Sequence, residues 1–211
     1  MSGSFWLDES TDVRYYEGRA FSYGEGEDRI NYTKAGATPE TFAGLGFVQV
    51  QIQARPDDRF YWVSGPDDSG AYTATPKELD DEPLIDPYTG EPVLNPDGTP
   101  RIQYGLKTQW EKEQDTEQYG LLSSSDWMVT RKADTGIDLA PEWQQYRDDV
   151  RVTNPLRQDQ ISQVTTVPEL EALVTNPAEV PVDPEDPSKG MKSNPEPHLV
   201  PWPVSPDAQQ A

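Results

Sequence analysis

Thr38-Pro39-Glu40-Thr41-Phe42-Ala43-Gly44-Leu45-Gly46-Phe47-Val48-Gln49-Val50-Gln51-Ile52 changes its apolar period midway. Thr38 is a good helix N-cap, because its hydroxyl accepts a free backbone N–H, and Pro39 suits the first helical position. Phe42 and Leu45, three apart, share a helical face, and Gly46 suits the stop. Phe47, Val48, Val50 and Ile52 then follow as a strand. A helix joined directly to a strand by a glycine stop predicts the α+β class.

Working outward, the aromatic run Val13–Tyr23 has a turn-like Glu17-Gly18 inside it and reads as a hairpin. Ile30–Lys34, Arg59–Val63 and Ala71–Thr75 read as further strands, with the turn-rich Ser64–Gly70 between the last two. Residues 1–75 are therefore expected to form a β-rich domain with one helix. Residues 76–118 read as an extended β arm of short strands. Asp86-Pro87-Tyr88-Thr89-Gly90 and Asn95-Pro96-Asp97-Gly98 are strong turn sequences, and the short apolar pairs around them cannot bury a core alone.

Residues 119–176 read as a helical domain. Ser125 is expected to cap a helix carrying Trp127 and Met128 and ending near Gly136. Pro141 opens the next, and Leu139, Trp143, Tyr146 and Val150 recur at 4, 3 and 4, the spacing of one helical face. Arg147 and Arg151 fall on another face, four apart. Leu156, Ile161 and Val164 suggest a third short helix, and Thr166-Val167-Pro168-Glu169 matches a capping box. Val-Thr-Asn-Pro occurs at 152–155 and at 174–177, and both copies are expected to end a helix, because a residue before proline is pushed out of the α region. Nine of the 21 prolines lie in 177–211, which reads as an extended acidic tail.

Composition excludes much chemistry. Acids outnumber bases 38 to 17, for a net charge of -21, so a nucleic-acid backbone or an anionic membrane is an unfavourable partner. Without cysteine there is no disulfide, thiolate metal site or thiol nucleophile. No apolar run is long enough to span a bilayer, and the first residues show no signal-peptide pattern. Leu, Ile, Val and Phe are only 39 of 211 residues, but six Trp and ten Tyr supply large apolar rings. Small folded cores joined by extended segments are expected.

No catalytic, cofactor or metal residue is expected. The one histidine, His198, sits in the Pro-rich tail rather than beside a positioned partner. Among 38 acids, pairs such as Asp67-Asp68, Asp80-Asp81 and Asp148-Asp149 carry no spacing information. Gly24-Glu25-Gly26 and Gly44-Leu45-Gly46 lack the third glycine of a dinucleotide loop. Asp183-Pro184-Glu185-Asp186 places prolines where a calcium loop needs turning backbone. Asn31-Tyr32-Thr33 matches a glycosylation sequon inside a predicted strand. Trp127, Trp143 and Tyr146 have two readings, the core of a helical unit or a partner-facing patch, since Trp, Tyr and Arg dominate interface hot spots. Arg147 and Arg151 read as solvated helix charges or as grips for a carboxylate.

The order Leu121-Leu122-x-x-Ser125-Asp126-Trp127, a spacer, then Trp143-x-x-Tyr146-Arg147-x-x-Val150-Arg151, with Pro201-Trp202-Pro203 near the end, resembles the C-terminal region of phage tail fibre assembly proteins. The resemblance covers roughly a quarter of the chain. It implies an acidic, non-enzymatic helper that binds a tail fibre or baseplate protein, in the host cytoplasm during assembly or in the virion tail. It implies no nucleic acid or membrane partner, and a place within a symmetric assembly as an oligomer. Trp127, Trp143, Tyr146, Arg147, Arg151 and Trp202 are the expected partner-binding residues. The arm and the acidic tail depart from the family pattern. They suggest the alternative of a permanent virion component that wraps its neighbours. A DNA mimic and a glycan hydrolase are less favoured, because the acids are spread along the chain without a pattern.

Overall fold

The computed structural model describes residues 4–182, 188 and 190–208. The fold is α+β, and it divides into two compact units, Met1–Pro76 and Lys77–Ala211.

In the first unit, strand β1 (Ser4–Asp8) lies between β2 (Val13–Tyr15) and β5 (Val48–Gln51), antiparallel to both. β1 is buried from Phe5 to Asp8, so both of its faces are covered. β3 (Phe21–Tyr23) pairs with β4 (Ile30–Tyr32), and β6 (Tyr61–Ser64) with β7 (Thr73–Pro76). Val13–Tyr23 is thus not a hairpin. Its two halves pair away from each other, β2 with β1 and β3 with β4, because the central strand β1 takes the edge that β3 was expected to fill.

Helix α1 (Pro39–Gly44) has the expected cap, with the Thr38 hydroxyl accepting from the Thr41 N–H at 3.3 Å. It buries Phe42 completely, against Trp6 and Phe47. Trp6 stacks on Phe42 at 5.6 Å, Tyr15 on Phe47 at 4.7 Å and Phe21 on Tyr32 at 4.5 Å. Gly70, at φ +80°, touches the Gln51 carbonyl so closely that no Cβ fits there.

The second unit is built on α2 (Leu106–Ser123), α3 (Asp126–Thr135), α4 (Pro141–Gln163) and α5 (Val167–Thr175). Helical structure begins at Leu106, so the expected extended arm is helical over 106–118. The weak amphipathicity of Leu106–Ser123, whose buried members include Gln114, hides that helix from an apolar-period reading. A second correction concerns Asn154-Pro155. The first Val-Thr-Asn-Pro lies inside α4, and no third helix starts at Leu156. Proline costs a helix interior about 3 kcal/mol. Here Asn154 Nδ2 donates to Asp115 Oδ1 at 2.8 Å and to Gln118 Oε1 at 3.3 Å, and Arg157 Nε donates to Gln114 Oε1 at 2.6 Å. Bonds to charged groups contribute about 1.5–3 kcal/mol each, enough to carry α4 straight through. The second copy does end α5, at Thr175. The capping box at Thr166–Glu169 is complete, and Leu170 and Leu173 are buried behind it.

Before α2, residues 82–103 close on themselves. β8 (Glu82–Pro83) pairs with β9 (Ile102–Gln103), and single bridges join Ile85 to Pro92 and Leu94 to Pro100. The expected tail also has structure: β10 (Glu179–Pro181) pairs with β11 (Met191–Ser193). The Asp183–Asp186 segment lies outside the described residues.

Candidate functional site

The two motifs of the helical region meet in space through Arg147. This side chain is buried, which corrects the reading of a solvated helix charge. Its Nη1 donates to the Leu122 carbonyl at 2.9 Å and to Ser125 Oγ at 2.5 Å, and its Nη2 donates to Asp126 Oδ1 at 2.8 Å. Residues 21 to 25 positions apart are so fixed to one guanidinium. The planar fork suits this, since it reaches several acceptors at once. Ser125 precedes α3, but its side chain does not cap the helix. It is fully buried and donates instead to the Leu122 carbonyl at 2.9 Å.

Tyr146 is buried beside Arg147. Burial pushes its phenol up from the usual range, and the neighbouring guanidinium opposes that shift. Tyr146 and Arg147, each 5% exposed, therefore have almost no surface to offer a partner, which corrects that expectation. They frame the junction of α2, α3 and α4.

What the junction leaves outside is aromatic. Trp127 is 56% exposed, and Trp143 is half-buried with its ring edge-on to Tyr146 at 5.7 Å. Both line one open groove of about 250 Å³, with Met128, Arg131, Ile137 and Leu139. Gly136, at φ +72°, ends α3 in the left-handed region and lets the chain double back, so that Ile137 and Leu139 supply the facing wall. Lys132 Nζ holds Asp138 at 2.7 Å across this turn, and that hydrogen bond keeps the Asp138 carboxyl below the usual range. Sequence reasoning did not connect Ile137 and Leu139 with Trp127, although the Gly136 stop that folds them together was legible.

The other two expected residues lie elsewhere. Arg151 is exposed and paired with Asp148 at 3.1 Å, one turn away. Trp202 belongs to an internal clamp. Its Nε1 donates to Glu117 Oε2 at 2.7 Å, and the Arg157 guanidinium lies 4.7 Å above its ring. Arg157 Nη1 also donates to the Val200 carbonyl at 2.5 Å, the Val200 N–H donates to Gln160 Oε1 at 2.9 Å, and the Leu199 N–H donates to the Leu173 carbonyl at 2.9 Å. Burial lowers the Arg157 pKa, and the Glu117 charge opposes that. The segment through Trp202 is therefore laid on its own helices. His198 lies in it with Nδ1 2.9 Å from the Glu196 carbonyl. Arg157 escaped notice although it continues the α4 stripe of Tyr146, Val150, Asn154 and Ile161.

Among the described residues, no group of three or more His, Asp or Glu side chains is placed to hold a metal, and no helix is long and apolar enough to cross a membrane. Comparison with protein-family models, with curated proteins and with solved structures finds no match for this chain.

Proposed function

We propose that this chain is a non-enzymatic bacteriophage protein that assists the folding, assembly or attachment of tail fibres by binding a fibre protein. One observation carries the reading. The Ser-Asp-Trp and Trp-x-x-Tyr-Arg motifs of the family resemblance act as one unit, in which Arg147 locks the frame and Trp127 and Trp143 face a shared open groove. A large, rigid ring in an open groove is the usual anchor of a protein interface.

The physics of the helper role follows from its client. Fibres are trimers with non-local strand pairing, which forms slowly and exposes apolar surface meanwhile. A partner that covers an aromatic or aliphatic segment until trimerisation, or remains bound afterwards, keeps the client from aggregating. A net charge of -21 keeps the pair soluble and steers it to basic patches. The site of action is the host cytoplasm during assembly.

The second reading, a permanent tail or baseplate component, is favoured by the exposed aliphatic surface of residues 82–103. The tail as far as Trp202 gives it no support, being engaged within its own unit. A mass-spectrometric inventory of purified phage particles, with copy number, separates the two. Absence from particles together with co-purification with newly made fibre supports the helper. A fixed ratio to a fibre or baseplate protein in particles supports the structural component. Absence from both overturns the phage reading. Trp127→Ala and Trp143→Ala together should reduce fibre capture while leaving the helical circular-dichroism signal in place.

A further inference from the structure

The 82–103 segment is a threefold repeat. Pro83-Leu84-Ile85, Pro92-Val93-Leu94 and Pro100-Arg101-Ile102 follow one another at spacings of nine and eight, and the first two run on into Asp86-Pro87 and Asn95-Pro96. The backbone obeys the same symmetry. The Leu84 N–H donates to the Arg101 carbonyl at 2.8 Å, the Arg101 N–H to the Val93 carbonyl at 2.7 Å, and the Val93 N–H to the Leu84 carbonyl at 2.8 Å. The three central residues close a ring of hydrogen bonds. Around it, the last residue of each strand bridges the proline of the next: Ile85 to Pro92, Leu94 to Pro100, Ile102 to Pro83.

This knot has no core to protect, yet Ile85, Leu94 and Ile102, the same position in each repeat, are 48%, 59% and 43% exposed. The sequence thus places one aliphatic side chain at each third of a small pseudo-threefold surface. A proline opens every strand, lacks the N–H that strand addition needs, and blocks pairing with an incoming chain. A partner must therefore meet side chains rather than a free strand edge.

The base of the knot is anchored. The Leu106 N–H donates to the Glu78 carbonyl at 2.9 Å, the Lys107 N–H to the Leu79 carbonyl at 3.0 Å and the Gly105 N–H to Asp81 Oδ1 at 2.8 Å. Lys107 Nζ pairs with Asp80 at 2.9 Å. The Gly105 Cα packs against the Asp80 backbone where no Cβ fits, so the knot is fixed to the start of α2.

We infer that this knot docks on the threefold axis of a homotrimeric partner, one copy per trimer, with Ile85, Leu94 and Ile102 each meeting the same surface of a different subunit. Symmetry is the argument. Three equivalent aliphatic groups around one axis match three equivalent sites, and no single-chain surface supplies that match except by coincidence. An axial ligand also excludes a second copy from the same end. Resting on the fibre-binding reading above, the proposal identifies the partner as the fibre trimer and sets a stoichiometry of one to three.

The test uses the full chain co-expressed with the full-length fibre of the same phage. Native mass spectrometry should give one chain per fibre trimer, and hydroxyl-radical footprinting of that complex should protect Ile85, Leu94 and Ile102 together. Changing all three to Ser should weaken the complex at least about tenfold. Tyr88→Ala, at a turn tip that is 96% exposed, should leave it intact. Three chains per trimer, or an intact complex with the three side chains unprotected, overturns the axial docking and leaves the fibre-binding reading standing. The footprint holds even if the triple variant misfolds. No complex of any stoichiometry overturns both.

Discussion

The two units bury different chemistry. In residues 1–76, rings pack on rings: Phe42 meets Trp6, Tyr15, Phe21 and Phe47 within about one ring width. In residues 77–211, the α2–α4 interface buries Gln114, Asn154 and Arg157 among few aliphatic groups. Ring burial is largely non-directional, and its contribution grows with area. A buried polar network contributes less net stability, but it fixes which residue faces which, because each unpaired group is costly. The first unit is held by ring area, and the second adds polar pairing to an apolar core that includes Leu106, Val150, Ile161, Leu170 and Leu173.

The largest expected effect breaks the first half of that comparison. Phe42 has no exposed surface, and Phe42→Ala removes the ring that meets four others, Trp6, Tyr15, Phe21 and Phe47. A loss of about 3–5 kcal/mol is expected, a large share of a small unit's stability. Near-ultraviolet circular dichroism in a denaturant titration should show the aromatic signal collapsing early. A cost under about 1 kcal/mol would mean that ring burial does not hold this unit.

The second prediction probes the polar side. Arg157→Met keeps the stem but removes the head that serves Gln114, Glu117 and the Val200 carbonyl. We expect a loss of about 2–3 kcal/mol. Trp202 should also become more accessible to an aqueous fluorescence quencher, since its cation is gone. If Met restores full stability, the clamp contributes register rather than energy, as some buried ionic groups do. Arg147→Lys should cost less, about 1–2 kcal/mol, because an ammonium keeps the charge but cannot reach three acceptors in one plane. A helix signal unchanged in midpoint would assign the α2–α3–α4 junction to packing alone.

The same contrast explains what was legible in the sequence. Elements announced by backbone chemistry were read correctly: the Thr38 and Thr166 caps, the Gly136 stop and the Pro141 start all stand where the residues put them. β1 was missed because a fully buried central strand has no alternation, and Ser4–Asp8 is short. α2 was missed because its inward face carries Gln114, which a hydrophobic period cannot see. Pro155 misled for the same reason, since polar pairing across α2 outweighs a local proline signal. At the candidate site, the motif singled out Trp127 and Trp143, and both line the groove. The burial of Arg147 was not, because a charged residue reads as solvent-facing until its acceptors are located. The threefold knot was hidden behind its turns, although its Pro-apolar pattern repeats openly in the chain.

The smallest effect separates the units by pH. In the first, the Ser10 hydroxyl, helped by the Thr11 hydroxyl and the Ser10 N–H, holds the Asp8 carboxyl below the usual range. A lowered folded pKa contributes stability above the unfolded value, near ~3.9, and loses it as pH falls through the folded one. In the second unit, burial, reinforced by the Asp81 and Asp115 charges and opposed by Lys107, pushes the Glu111 carboxyl up. A raised folded pKa works the other way. Its contribution is complete below the unfolded value, near ~4.3, and is lost as pH rises through the folded one. Acidifying from pH 7 toward ~4.3 should therefore firm the helical signal through Glu111, and going below ~3.9 should loosen the ring signal through Asp8. General charge repulsion also falls with acid, so the check is the difference made by single variants. Glu111→Gln should flatten only the first response and Asp8→Asn only the second. If both variants change both responses equally, the two units do not titrate as separate bodies, and the contrast between area and pairing loses its electrostatic half.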